Sequence, residues 1–150
     1  GVRLVGSEMC IRDSTDGHVD NVACFSNSNT ILTMTCNDKN DSYYDLLSEN
    51  LEILRSSTDQ DGNPINIIEL EMSKKRLIPN DDEPSSYINF YISNNAIILP
   101  IFGDEPADEN AKKILNSQFQ NRQIVCLDGR DILLGGGNIH CITQQQPRSL

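Results

Sequence analysis

Apolar and polar positions alternate along residues 18–26 (HVDNVACFS), a polar turn occupies 26–30, and residues 31–36 (ILTMTC) form a second β-branched run. Two such runs joined by a short polar turn predict a β-hairpin. The period then changes. Tyr43, Leu46, Leu47, Leu51 and Leu54 stand at i, i+3, i+4, i+8 and i+11, one face of an amphipathic helix starting near Ser42. Gly62-Asn63-Pro64 breaks the chain, residues 65–72 (INIIELEM) read as a strand, and a polar loop covers 73–85.

The same succession returns. Residues 87–93 (YINFYIS), the turn Asn94-Asn95 and residues 96–102 (AIILPIF) predict a second hairpin. A helix is expected from about Pro106, with Ala107, Ala111, Ile114, Leu115 and Phe119 on its apolar face and acidic residues loading its N-terminal end. Residues 123–127 read as the next strand, 132–134 as a last short one, and 138–144 as an extended continuation beyond Gly135-Gly136-Gly137. The chain therefore holds two ββαβ units, the second beginning roughly 70 residues after the first, and a fraction of a third. Modules of this kind bury their faces against neighbours, so further modules are expected upstream.

Composition agrees with an unfinished core. Only 37% of the 150 residues are apolar, there is no Trp, and Phe and Tyr number four each. One ordinary domain of this length buries roughly 70% of its unfolded surface, which this lean apolar content would support poorly. The net charge of −10 argues against nucleic acid and against an anionic membrane as partners. No apolar run approaches the ~18 residues a membrane span needs. Five cysteines without a CxxC pair point to a reducing, cytoplasmic setting. Neither His18 nor His140 has a Cys or second His at ligand spacing, so no metal site is expected.

Residues 1–14 (GVRLVGSEMCIRDS) follow neither period. The run SEMCIRD resembles the in-frame translation of a sequencing-library adapter, and the segment is set aside as foreign, a native disordered N-terminus being the alternative.

Three residues carry candidate chemistry. Cys141 follows the glycine run in a segment expected to be extended. A buried strand cysteine is the plain reading, but glycines allow a ligand close to the backbone, and the tract 143–146 (TQQQ) has no packing role. A reactive thiol needs a proton-trading partner, and on a strand the adjacent His140 would point to the opposite face, leaving His18. On the expected first strand His18 and Asp20 share a face about 6–7 Å apart. That pair either caps a surface turn or suits a planar cation, the carboxylate gripping a guanidinium while the imidazole moves protons. Asn89 either lines such a site or satisfies the core, and the core is the expectation. The glycine run lacks the Lys-Ser/Thr and the spacing of phosphate loops, so no nucleotide cofactor is expected.

Residues 15–21 (TDGHVDN), 86–91 (SYINFY) and above all 135–147 (GGGNIHCITQQQP) resemble the agmatine deiminases of the peptidylarginine-deiminase group of guanidino-modifying enzymes. The resemblance covers residues 15–147 and implies the pentein fold, a five-fold α/β propeller of ββαβ modules around a central site, of which this chain would be the C-terminal part. It further implies a cytoplasmic, cofactor-free hydrolase in putrescine biosynthesis, with a homodimer as a possible full-length assembly. Cys141 would attack the guanidinium carbon of agmatine, His18 would protonate departing ammonia and activate water, and Asp20 would hold the guanidinium. The second guanidinium-binding carboxylate of the family has no counterpart in these residues, so the 150-residue piece alone is expected to be inactive. A bacterial-type peptidylarginine deiminase and a non-catalytic pentein binding module are the alternatives.

Overall fold

A computed structural model describes residues 18–77 and 84–146. The adapter-like segment 1–14 lies outside the described residues. Two three-stranded sheets are present among them, each built from an antiparallel hairpin, a helix and a third strand parallel to the hairpin's second. In the first unit β1 (Ala23–Asn27) and β2 (Thr30–Thr35) form the hairpin, α2 (Tyr44–Ser56) crosses over, and β3 (Asn66–Glu71) pairs with β2. In the second, β4 (Tyr91–Ile92) and β5 (Ala96–Ile101) are followed by α3 (Glu105–Gln118) and β6 (Gln123–Asp128). Both sheets place the middle strand of the sequence at the centre, in the orders β1-β2-β3 and β4-β5-β6. A strand paired on both edges leaves few backbone groups open, and β2 is buried along its whole length.

The two units share one apolar core. Leu32, Met34, Leu47 and Leu70 of the first pack in one cluster with Tyr87, Phe90, Leu99, Leu115 and Phe119 of the second. Tyr87 meets Phe102 with ring centroids 5.3 Å apart, and Phe90 meets Phe119 edge-on at 5.8 Å. Polar bonds reinforce the seam and the second unit. Asp104 Oδ2 accepts from the Ser73 hydroxyl at 3.1 Å and the Lys74 amide at 3.2 Å, and buried Asp108 accepts from the Tyr87 hydroxyl and from the amides of Phe102 and Gly103. Burial and this bond to a carboxylate push the Tyr87 phenol well above its ordinary range.

Five expectations are corrected. The strand foreseen from residue 18 is instead a helical turn, α1 (Val19–Val22), before β1 begins. Tertiary bonds hold this turn against its alternating pattern: the Ser86 hydroxyl donates to Asn21 O at 2.6 Å, the Asn89 amide to Asn21 Oδ1 at 2.8 Å, and the Thr33 hydroxyl to Val22 O at 3.2 Å. The strand expected over 87–93 shrinks to β4, because the backbone carbonyl of Asn89 accepts from His140 N rather than from a ladder. The expected strand at 132–134 lies in helix α4 (Arg130–Leu133) and the residue after it, and the extended tail contains a 3-10 turn, His140–Ile142. On α2, Leu46 is exposed although it shares the predicted apolar face with buried Leu47.

Candidate active site

Gly136 and Gly137 reverse the chain after α4 with φ of 82° and 106°, a region that only glycine enters without strain. The following Asn138 is buried and clamps the segment to the end of β6: its Nδ2 donates to Gly129 O at 3.1 Å and its Oδ1 accepts from Ile139 N at 3.0 Å. Gly129 is needed here for space. A Cβ at that position would stand 2.7 Å from Asn138 Oδ1 and 2.9 Å from Pro100 Cβ. The clamp delivers the 3-10 turn carrying His140 and Cys141 to the first helical turn, α1.

Asp20 is where the segments meet. Its Oδ2 receives His140 Nδ1 at 2.9 Å, Asn89 Nδ2 at 3.2 Å and the Cys141 thiol at 3.3 Å. The Asn89 amide also donates to Cys141 Sγ at 3.2 Å, and Asn89 Oδ1 accepts from His140 N at 2.8 Å. One fully buried carboxamide thus touches Asp20, Asn21, His140 and Cys141. Its full burial and satisfied amide are the core role expected of it, and the same bonds set it against Asp20 and Cys141; its signal in the sequence is the lone amide inside the apolar run YINFYIS.

His140 departs from expectation. A strand would send His140 and Cys141 to opposite faces, but a 3-10 turn advances each residue by about 120°, and both side chains reach the same carboxylate oxygen. Nor are His18 and Asp20 two steps along one strand face, because Asp20 lies in the helical turn α1 and His18 precedes it. His18 lies just before α1, its Nε2 buried and without a hydrogen-bond partner among the described residues.

The electrostatics follow from these contacts. Burial pushes the Asp20 carboxyl up, but the bonds from His140 and Cys141 and the nearby imidazoles outweigh it, and the group ends below its ordinary value. Asp20 is therefore a carboxylate at neutral pH. Desolvation pushes the Cys141 thiol up; the Asn138 backbone and the Asn89 amide oppose this, while the Asp20 charge adds to it. The sulfur is held as a thiol donating to Asp20. A planar cation between the two would reverse that balance, since it favours both the carboxylate and the thiolate. Among the described residues no cluster of three or more His, Cys, Asp or Glu could hold a metal ion, and no helix is long and apolar enough to cross a membrane.

A family model for the Porphyromonas-type peptidyl-arginine deiminases matches residues 4–147. The chain belongs to that family. Among curated members, the agmatine deiminase of Medicago truncatula is 38% identical over 154 residues, covering 90% of this chain and 41% of its own length. The structure of the Enterococcus faecalis agmatine deiminase, described as catalysing its reaction, superposes with a TM-score of 0.82 at 27% identity, covering 99% of this chain and 49% of that one. The C. jejuni agmatine deiminase, solved as a Cys-to-Ser variant with substrate bound, gives 0.74 at 32% identity over 85% of this chain and 36% of that one. The chain spans about 40% of the length of the curated relatives it matches. The fold of the family is the pentein, as the resemblance implied, and the two ββαβ units are modules of it.

Proposed function

We propose that the protein to which this sequence belongs is an agmatine deiminase, hydrolysing agmatine to N-carbamoylputrescine and ammonia. The observation that carries the reading is the convergence of the Cys141 thiol, the Asn89 amide and the His140 imidazole on one oxygen of Asp20. A carboxylate beside a thiol suits a guanidinium, which is cationic, planar and electrophilic at its carbon.

In this mechanism Asp20 binds the guanidinium and Cys141 passes its proton to His18 as the substrate charge settles beside the sulfur. The sulfur attacks the guanidinium carbon, forming a C–S bond and a tetrahedral intermediate. Collapse breaks one C–N bond, and His18 gives the leaving nitrogen its proton, so that ammonia departs and an amidino-thioether remains on Cys141. His18 then takes a proton from water, which adds to the same carbon. The second collapse breaks the C–S bond, restores the thiol and leaves the ureido product. That His18 Nε2 has no hydrogen-bond partner among the described residues supports this role, because a ring nitrogen already bonded within the protein could not exchange protons with substrate and water.

Incubating the full-length protein with agmatine, and separately with an arginine-containing peptide, tests the assignment. Release of ammonia and N-carbamoylputrescine with a mass adduct on Cys141 is the expected result. Full activity in Cys141→Ser would exclude the covalent route. Turnover of the peptide but not of agmatine would make the protein a peptidylarginine deiminase, and turnover of neither would leave a binding module.

A further inference from the structure

The crowding at Asp20 is one-sided. Oδ2 has three neighbours, His140 Nδ1, Asn89 Nδ2 and Cys141 Sγ, whereas Oδ1 has no hydrogen-bond partner among the described residues. The three are not equivalent. Asn89 has two amide protons and four acceptors between 2.8 and 3.4 Å, namely Asp20 O, Asp20 Oδ2, Asn21 Oδ1 and Cys141 Sγ, so its hold on the carboxylate is shared. Cys141 must give its proton away for the reaction proposed above. The shortest of the three contacts comes from His140. A carboxylate accepts and does not donate, so the imidazole proton on this bond sits on Nδ1.

We propose that His140 is a positioning residue for guanidinium recognition, its Nδ1–H holding Asp20 Oδ2 so that Oδ1 is presented to the substrate cation. The inference rests on the deiminase reading. It gives the two histidines different roles, His18 moving protons and His140 acting through Asp20. It also explains why a histidine is useful directly before Cys141. Its backbone amide is held by Asn89 Oδ1 at 2.8 Å and its ring by Asp20, so one residue ties the 3-10 turn that carries the sulfur both to Asn89 and to the carboxylate. Without the ring, Oδ2 would be left mainly to the thiol, and the carboxylate would hold the sulfur's proton in place of the substrate.

The test compares His140→Ala, His140→Leu and His140→Asn with wild type in the full-length protein. Leu fills the space of the ring without an N–H, and the Asn side-chain amide falls near the position of Nδ1. Loss of the bond should raise the KM for agmatine roughly tenfold to a hundredfold in the Ala and Leu variants, with a smaller change in kcat, and His140→Asn should return KM to within about threefold of wild type. The dissociation constant of agmatine, measured by calorimetry with Cys141→Ala present in every variant, should follow the same order. If Leu fails to fold, the Ala and Asn pair carries the comparison. A KM unchanged in Ala and Leu, or an Asn variant as impaired as Leu, would overturn the inference while leaving the deiminase assignment intact. Absence of wild-type turnover of both agmatine and the arginine peptide would overturn the two together.

Discussion

Replacing Asp20 by Asn should move two properties of the same cysteine in opposite directions. Cys141 Sγ lies 3.3 Å from Asp20 Oδ2, so ionising the thiol sets two negative charges against each other. At that separation the repulsion is about 1.3 kcal/mol in bulk water and ~5 kcal/mol at an effective dielectric of ~20. Cys141 is exposed, which places the effect toward the lower figure. About 1.4 kcal/mol corresponds to a factor of ten in an acid dissociation constant, so the thiolate fraction at neutral pH should rise roughly tenfold. A less basic thiolate is also a weaker nucleophile, and with a Brønsted coefficient of ~0.4–0.5 about threefold of that gain is lost. Iodoacetamide, which is uncharged, should therefore alkylate Cys141 about threefold faster in Asp20→Asn. Agmatine turnover should fall by at least ~100-fold in kcat/KM, since a bond to a charged group contributes up to ~3 kcal/mol. The assay is alkylation at neutral pH followed by peptide mass spectrometry, which distinguishes Cys141 from the other cysteines, alongside steady-state kinetics. Alkylation that is unchanged or slower in the variant would refute the claim that Asp20 restrains the thiol.

Other substitutions probe the scaffold of the site. Gly129→Ala keeps a permitted backbone, since φ is −91°, but drives a Cβ into Asn138 and Pro100; it should cost ~1–3 kcal/mol in thermal or urea unfolding and reduce turnover by displacing the 3-10 turn. Asn89→Ala leaves Asn21 Oδ1 without its donor and frees one side of the Asp20 carboxylate, so a loss of ~1–3 kcal/mol and a slower reaction are expected, read by melting temperature and kinetics. The folded-state value of Asp20 is depressed, so its contribution to stability is complete above the unfolded carboxyl value and is lost as pH falls through the folded one. Asp20→Asn should accordingly flatten the acid limb of the stability curve, measured by denaturant midpoint between neutral pH and about pH 3.

Much of the architecture was legible because it depends on periodicity. The switch from alternation to the i, i+3, i+4 spacing of Leu47 and Leu51 and back again marks strand, helix and strand, and its recurrence from Tyr87 to Leu127 marks a repeated module. What periodicity could not convey is where polar contacts override it. His18 to Val22 alternates like a strand, yet Ser86, Asn89 and Thr33, all distant in sequence, hold residues 19–22 as a turn. Residues 138–144 contain no helical stripe, but the Asn138 clamp and two positive-φ glycines fold them back as a 3-10 turn.

The candidate site divides along the same line. Residue types and motif order alone determined that a cysteine, a histidine and a carboxylate were available in a guanidino-modifying pattern, because chemistry of that kind is written in side chains. Which of them meet is a property of the fold. Only the tertiary structure puts His140 on the same carboxylate oxygen as Cys141 and brings Asn89 from the second module to Asp20 in the first. The physical reason is that hydrogen bonds between segments 50 to 120 residues apart depend on the angle at which each short turn presents its side chains, and local sequence does not encode that angle.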